Sequence, residues 1–294
     1  MVDVTECPVC QSRAIKPFRT CTDFTVSHET FTVIRCENCG LGITSPRPDA
    51  ENLGRYYQSE EYISHSGKSS GLMGPLYTTA RKFALRWKTR IVESQSKRGT
   101  ALDFGCGTGE FLETLKRKGW KIEGIEPSRF AREKAESLTG QKLYSSLSEI
   151  SAHGFNAITA WHVLEHVPDL SAVIQQLAHM LQKDGTIFIT VPNYESPDAD
   201  QYKDLWAGYD VPRHVWHFSS KSMKRLLESN GLNIIKIVPM KLDAYYVSML
   251  SETYKAGGNG SVGNLIKGFI SGFKSNLAAG SNNYSSLIYI AKHS

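Results

Sequence analysis

From Thr100 onward, short apolar runs alternate with amphipathic ones, and this alternation restricts the fold more than any other feature of the chain. ALDF reads as a strand, EFLETLKRKG as a helix stopped by Gly119, and KIEGIE as a second strand. PSRFAREKAESLTG reads as a helix with Pro127 at its start and Gly140 at its end. KLY is a candidate short strand, NAITAWH a further strand, DLSAVIQQLAHMLQKDG a helix, and GTIFITVPN, NIIKIVP and SSLIYIAKH the remaining strands. Such alternation builds a doubly wound, mostly parallel α/β sheet covered by helices on both faces. A helix capped by Ser220 precedes NIIKIVP, and a helical insertion occupies about 241–284.

The turn after the first of these strands, LDFGCGTGEF, carries the chemistry. A dinucleotide fingerprint needs Gly-x-Gly-x-x-Gly, but the third position here is Glu110, which crowds the helix–strand junction and repels pyrophosphate. The glycines run Gly105, Gly107, Gly109, with Asp103 just ahead of them. An acid there favours a ligand with an amine or a positive centre over a phosphate. Glu126, closing the next strand, is placed to accept from ribose hydroxyls.

LDFGCGTG followed by GIEPS and WHVLEHVPD resembles the class I methyltransferases that use S-adenosylmethionine, over roughly residues 100–240. The resemblance implies a Rossmann-like sheet of seven strands with the last antiparallel, and a cofactor lying over the C-terminal strand edges. It places Asp103, Gly105, Gly107 and Gly109 around the methionine part and Glu126 on the ribose. It also puts the residues around Ser145 near adenine, and Trp161 and His162 near the methyl-bearing sulfur. The LEH segment resembles that of ubiquinone-biosynthesis O-methyltransferases. His162, Glu165 and His166 at i, i+3 and i+4 read as helix-start and pocket-lining groups, with metal ligation as the competing reading, and His162 is with His214 one of the two catalytic candidates. The run HVWHFS resembles a segment of methyltransferases from glycan and secondary-metabolite pathways. There His214 is the candidate base or hydrogen-bond partner for a hydroxyl acceptor, and Arg213 the candidate partner of a substrate phosphate or carboxylate.

Cys7-Pro-Val-Cys10 and Cys36-Glu-Asn-Cys39 are two knuckles 25 residues apart. Four thiolates so spaced match a closed, structural Zn²⁺ site, which predicts a small zinc ribbon over residues 1–48. Cys106 and Cys21 read as packing thiols. Residues 49–98 form a Tyr-rich linker and helical lid, in which Tyr56, Tyr57 and Tyr62 either fold over the cofactor or pack. Residues 99–294 form the cofactor-binding domain.

The formal charge of +5 is too mild to mark a nucleic-acid binder, and the ribbon balances its basic residues with acids. The helix containing Arg81, Lys82, Arg86, Lys88 and Arg90 is more basic, which keeps an RNA methyltransferase as the second reading. A non-catalytic scaffold retaining the fold is the third. No apolar run approaches the roughly 20 residues that span a bilayer, and MVDVTECPVC lacks the pattern of a secretory signal, so the expected location is the cytoplasm. Val262, Leu265, Ile266, Phe269, Ile270, Phe273 and Leu277 form a helical apolar stripe, read as a core, acceptor-cap or dimer helix or as a membrane-surface helix. The favoured acceptor is a hydroxyl of a sugar, nucleotide sugar or related metabolite.

Overall fold

The structure is a computed structural model that describes residues 1–57, 74–151, 153–258, 260–280 and 282–294. Tyr62 and most of the Gly/Ser stretch of the linker lie outside the described residues.

The main sheet contains β4 (Thr100–Phe104), β5 (Lys121–Ile125), β6 (Phe155–Trp161), β7 (Leu181–Pro192), β9 (Leu232–Pro239) and β10 (Ser286–His293), in the order β5-β4-β6-β7-β10-β9. β4, β5, β6 and β7 pair in parallel, and β10 runs antiparallel to both of its neighbours. Strand pleating sends alternate residues to opposite faces. Leu102, Ile158, Ile187 and Leu287 therefore enter one apolar core, while Ala101, Ala157, Phe188 and Ile288 enter the other. On the first face lie α5 (Leu170–Met180) and α7 (Ser220–Glu228). On the second lie α2 (Gly74–Gln95) and α3 (Glu110–Arg117), and α4 (Arg129–Thr139) follows β5.

Among the described residues the main sheet has six strands, where seven were expected. KLY makes only a one-residue parallel bridge, Ile125 to Tyr144. Beyond it Ser145 donates to Glu149 through its backbone N–H (3.3 Å) and its hydroxyl, which turns the backbone away from the sheet. Serines that bond locally compete with ladder formation. The expected helix through Gly185 ends at Met180, because Leu181 already pairs with Phe155. The cap of α7 is Ser219, not Ser220, in a reciprocal arrangement with Ser222.

The N-terminal strands β1 (Ile15–Thr22), β2 (Thr30–Cys36) and β3 (Gly42–Thr44) form a second sheet whose fourth strand is β8 (Trp216–His217). This sheet thus incorporates the loop that follows β7 in the main domain. Gly42 permits the approach, since a Cβ there would lie 2.8 Å from the Cβ of His217. Between β7 and β8 runs the short helix α6 (Pro197–Tyr202), and α1 (Ala50–Leu53) follows β3. The insertion is a hairpin of α8 (Lys241–Lys255) and α9 (Val262–Ala278). It is tied down by buried Asp198, which accepts from Trp206 Nε1 (2.8 Å), Ser275 Oγ (2.7 Å) and Ser285 Oγ (2.7 Å). Among the described residues no helix is long and apolar enough to cross a membrane.

Candidate active site

The strand order reverses between β4 and β6, the place where open α/β sheets bind ligands outside their C-terminal strand ends. A cavity of about 290 Å³ opens there. Its floor is the loop after β4, its wall includes Asp103, Phe111 and Trp161, and its roof is α2, through Arg81, Leu85 and Lys88.

The glycine loop is shaped by backbone requirements that a side chain would break. Gly105 and Cys106 both donate their N–H to the Ile125 carbonyl, at 2.8 and 2.9 Å. Gly105 has φ +76°, and a Cβ on it would meet Val163 at 2.4 Å. Gly109, at φ +83°, caps α3 and lets α4 approach, because a Cβ would lie 2.8 Å from that of Ala135. A Cβ on Gly107, at φ +54°, would meet nothing within 4 Å, so its open side faces the cavity it lines.

Asp103 is buried and accepts a hydrogen bond from Thr159 Oγ1 at 2.6 Å. Burial, only partly offset by Thr159 and the Lys88 ammonium, pushes its carboxyl up to about 7. Glu126 accepts from the backbone N–H of Gly107 (2.9 Å) and of Ser128 (2.8 Å), so it joins the glycine loop to the start of α4. Lys88 holds its ammonium 4.5 Å from the centre of the Trp161 ring, and Arg81 pairs with Glu110 at 2.7 Å. Two of the five basic residues of this helix therefore turn toward the cavity. Burial pushes the Cys106 thiol up, which suits a packing thiol. Ser145 is not among the cavity-lining residues.

The cavity contains features that suit S-adenosylmethionine. The indole N–H of Trp161 is buried with no hydrogen-bond partner among the described residues. An ionisable acid (Asp103), an ammonium (Lys88) and the ribose-type acceptor Glu126 surround the loop. This donor and acceptor set matches an amino-acid zwitterion joined to a nucleoside.

One residue beyond Trp161, His162 adopts φ +57°, a strained backbone for a residue with a Cβ. Its Nδ1 lies 3.1 Å from Glu165 Oε1 and its Nε2 3.0 Å from Asp243 Oδ2. Burial lowers its pKa, but the Asp243 and Glu165 carboxylates outweigh burial and raise it to about 9. His162 is therefore an imidazolium that donates from both nitrogens. A general base needs a free lone pair, and both ring nitrogens of His162 are engaged by carboxylates.

His214, the second candidate, has Nδ1 2.9 Å from the Gly208 carbonyl and Nε2 3.9 Å from Asp210 Oδ2, and it lines a space bordered by Trp206, Gly208 and Trp216 rather than the cavity at the glycine loop. His166 Nδ1 likewise lies 3.1 Å from the Arg213 carbonyl and 3.2 Å from the Tyr57 hydroxyl. Burial and the nearby His214 push His166 down to about 4, so it is neutral. The two rings are 4.6 Å apart. Ligand atoms of Glu165, His166 and His214 all lie within 4.8 Å of one another, and Glu165 Oε2 is buried with no partner among the described residues. This set can grip a polar acceptor group or a divalent cation.

The expectation for Arg213 is corrected, and of the two readings open for Tyr56 and Tyr57 the structure shows packing. Arg213 does not face substrate: it is 1% exposed and donates to Asp23 Oδ1 (2.9 Å), Asp210 Oδ1 (2.7 Å) and the Tyr56 carbonyl (3.0 Å). Tyr56 is a core residue with its hydroxyl on Glu29 (2.5 Å), and Tyr57 sits at His166 rather than over the cofactor cavity. The sequence reading missed Asp243, Asp210, Asp23 and Lys88. Lys88 was seen only as part of a basic face; the acids' partners are Arg213 and, 81 residues from Asp243, His162.

The four paired cysteines converge. Cys7 and Cys39 Sγ lie 3.5 Å apart, as do those of Cys10 and Cys36, and all four sulfurs fall within 4.8 Å of one another. A tetrahedral zinc–thiolate site has sulfur–sulfur edges of about 3.8 Å, so the cluster has the right size to hold such an ion. The Cys39 thiol, bonded to Cys7, brings the Cys7 thiol down to about 5, and the same contact pushes Cys39 up. The cluster rests on α5, where Ser171 Oγ donates to the Pro8 carbonyl at 2.7 Å.

Residues 77–237, just over half of the chain, match the family model described as a methyltransferase domain. The chain belongs to this methyltransferase family. Bovine mitochondrial ubiquinone biosynthesis O-methyltransferase is 32% identical over 161 residues, 47% of this chain and 42% of that protein. The enzyme of the same name from Neisseria meningitidis serogroup C is 27% identical over 177 residues, 52% of this chain and 69% of that one. The alignment thus spans less than half of the bovine relative's length. Geranyl diphosphate C-methyltransferase from Streptomyces coelicolor superposes with a TM-score of 0.52 at 14% identity, over 83% of this chain and 98% of that one. That likeness supports the methyltransferase fold of this family member.

Proposed function

We propose that the chain transfers a methyl group from S-adenosylmethionine to a hydroxyl of a small-molecule acceptor. The observation that carries this reading is one run of contacts. The cavity wall at Trp161 leads to His162, which holds Glu165, and Glu165 sits beside the ring nitrogens of His166 and His214. When bound, the cofactor supplies an electrophilic methyl group on a sulfonium. Asp103 takes the ammonium, Lys88 the carboxylate, and Glu126 the ribose hydroxyls. Trp161 on the cavity wall and His162 next to it in sequence would shape the place where the acceptor meets the methyl carbon. His214 is the residue that would take the hydroxyl proton of the acceptor, while the cofactor would supply the methyl group. Much of the acceleration comes from orientation.

A phenolic hydroxyl suits this site better than the sugar or nucleotide-sugar hydroxyl expected from the sequence. A phenol, with a pKa of about 10, asks less of a neutral imidazole than an aliphatic alcohol does. The cation expected to bind a sugar phosphate, Arg213, is committed to Asp23 and Asp210. The relatives named for ubiquinone biosynthesis are O-methyltransferases. The inward turn of Arg81 and Lys88 also supports a small molecule over RNA. The four cysteines are proposed to hold a structural zinc ion. The test is titration with S-adenosylhomocysteine, then a methyl-transfer assay on catechol-type phenols and on sugars, with His214→Ala alongside. Binding followed by phenol methylation that drops at least about 100-fold in the variant supports the reading. Absence of binding overturns the donor, and unchanged turnover in the variant overturns the base.

A further inference from the structure

Helix α9 packs with its amphipathicity inverted. Its buried face is made of Gly268, Ser271, Gly272 and Ser275, with the glycines against α8 and Ser275 on Asp198 of α6. The fit is tight: a Cβ on Gly268 would lie 2.4 Å from Met249 Cα, and one on Gly272 2.7 Å from the Ala244 carbonyl oxygen. The bulky apolar residues point the other way. Val262, Ile266, Phe269, Ile270, Phe273 and Leu277 are each between 48% and 74% exposed. At 1.5 Å per residue this stripe runs about 22 Å along the helix. A contiguous exposed apolar face of that kind marks an interaction surface rather than scatter. Of the stripe, Phe269 touches α8 through the ring of Tyr245, 4.7 Å away, yet remains 55% exposed.

The charges around the stripe identify the occupant. Lys267 and Lys274 are exposed and lie to one side of it, about a quarter-turn away. From Ala256 to Ser294 the chain contains no aspartate or glutamate, and its three lysines leave the segment positive. A second copy of the same face would bring like charges together. An anionic lipid surface offers apolar depth for the stripe and phosphates for the lysines, whose stems reach past the buried side chains. Because no helix among the described residues can cross a bilayer, the contact is one of lying on the surface.

We infer that α9 seats this protein on anionic membranes, with the Val262–Leu277 stripe in the interface and Lys267 and Lys274 at the headgroups. The inference is independent of the methyl-transfer reading. α8 joins the two regions, since Asp243 near its start holds His162 while its other face carries α9.

The experiment is co-sedimentation of the full chain with vesicles of phosphatidylcholine alone and of equal phosphatidylcholine and phosphatidylglycerol. The wild type should pellet with the anionic vesicles, and less so as salt rises. Ile266→Asn/Phe273→Asn/Leu277→Asn should weaken partitioning at least about tenfold. Lys267→Gln/Lys274→Gln should erase the preference for anionic vesicles. An unchanged thermal midpoint shows that each variant is folded. Absence of wild-type binding at low salt, or equal binding by the triple variant, overturns the inference. So does a wild-type dimer, seen by light scattering without lipid, that the triple variant loses; the occupant is then a second copy. Failure of S-adenosylhomocysteine binding with intact vesicle binding strikes the functional proposal alone.

Discussion

Asp243 Oδ2 lies 3.0 Å from His162 Nε2, so a residue of the helical insertion completes a histidine at the end of a core strand. With Glu165 on the other nitrogen, the ring is held as a cation. Asp243→Asn should lower the His162 pKa from about 9 toward the ordinary histidine range, as read by proton–carbon NMR of the ring. A raised histidine contributes stability that is fully present below the unfolded value of about 6.5 and lost as pH rises through about 9. The gap in thermal midpoint between wild type and variant should therefore shrink between pH 6.5 and 9. A pKa that stays near 9 in the variant would show that Asp243 is not its source.

Asp103 carries an opposite linkage. Its carboxyl is raised to about 7 by burial, so the folded apo form holds a proton that the unfolded chain has shed. Apo stability from this group falls as pH rises from about 4 to 7. A ligand ammonium needs the ionised form. Affinity for S-adenosylhomocysteine should therefore drop about tenfold for each pH unit below 7, with release of close to one proton on binding near pH 6. Calorimetry in buffers of different ionisation enthalpy measures both. Asp103→Asn should bind weakly at every pH, and a variant that binds as tightly as wild type would remove Asp103 from the cofactor site.

The four-cysteine cluster should control the acceptor site from a distance. Cys39 leads through Gly40 and Leu41 into β3, and β3 pairs with β8. Thr44 Oγ1 also donates to the His214 carbonyl at 2.8 Å. Chelation, or Cys39→Ser, should release about one zinc ion per chain and lower methyl-transfer turnover at least about tenfold, while cofactor affinity shifts less than about threefold. Metal analysis and calorimetry on one preparation decide it. Equal loss of cofactor binding would mean that the cluster supports the whole fold.

The legibility of this protein in its sequence follows the range of each interaction. The alternating strands, Gly119 and Gly140 as helix stops, and the three loop glycines are set by neighbours a few residues away, and the period of the apolar residues shows them directly. KLY stopped at a bridge because Ser145 turns to Glu149, a preference written into LYSSLSE but outranked by the expected strand. The merger of β8 with the N-terminal sheet pairs residues about 170 positions apart, and no local pattern in VWH announces it. The carboxylates on His162 and Arg213 were missed for the same reason, since Asp243 and Asp23 look like ordinary surface acids until the fold delivers them. In α9 the period was plain, but which side faced outward was not, because small residues and bulky ones can each form a helix contact.

The buried Arg213 separates a structural role from the substrate-binding one that its loop position suggests. Its guanidinium joins Asp23 at the N-terminal hairpin to Asp210 in the loop that carries His214, and it is 1% exposed. Burial raises the Asp23 carboxyl, but the hydrogen bond from Arg213 and local backbone N–H groups outweigh it and hold the acid below its usual range. Arg213→Met would leave Asp23 buried without its cation, a loss of about 3–5 kcal/mol. For a chain of this size that lowers the thermal midpoint by roughly 6–15 °C at a fixed scan rate. Arg213→Lys keeps the charge but not the fork that spans both acids, and should recover only part of the loss. S-adenosylhomocysteine binding measured at low temperature should persist in both variants, because Arg213 does not line the cofactor cavity. A substrate-binding arginine would behave otherwise: the acceptor KM would rise at an unchanged midpoint, and that outcome would return Arg213 to the acceptor site.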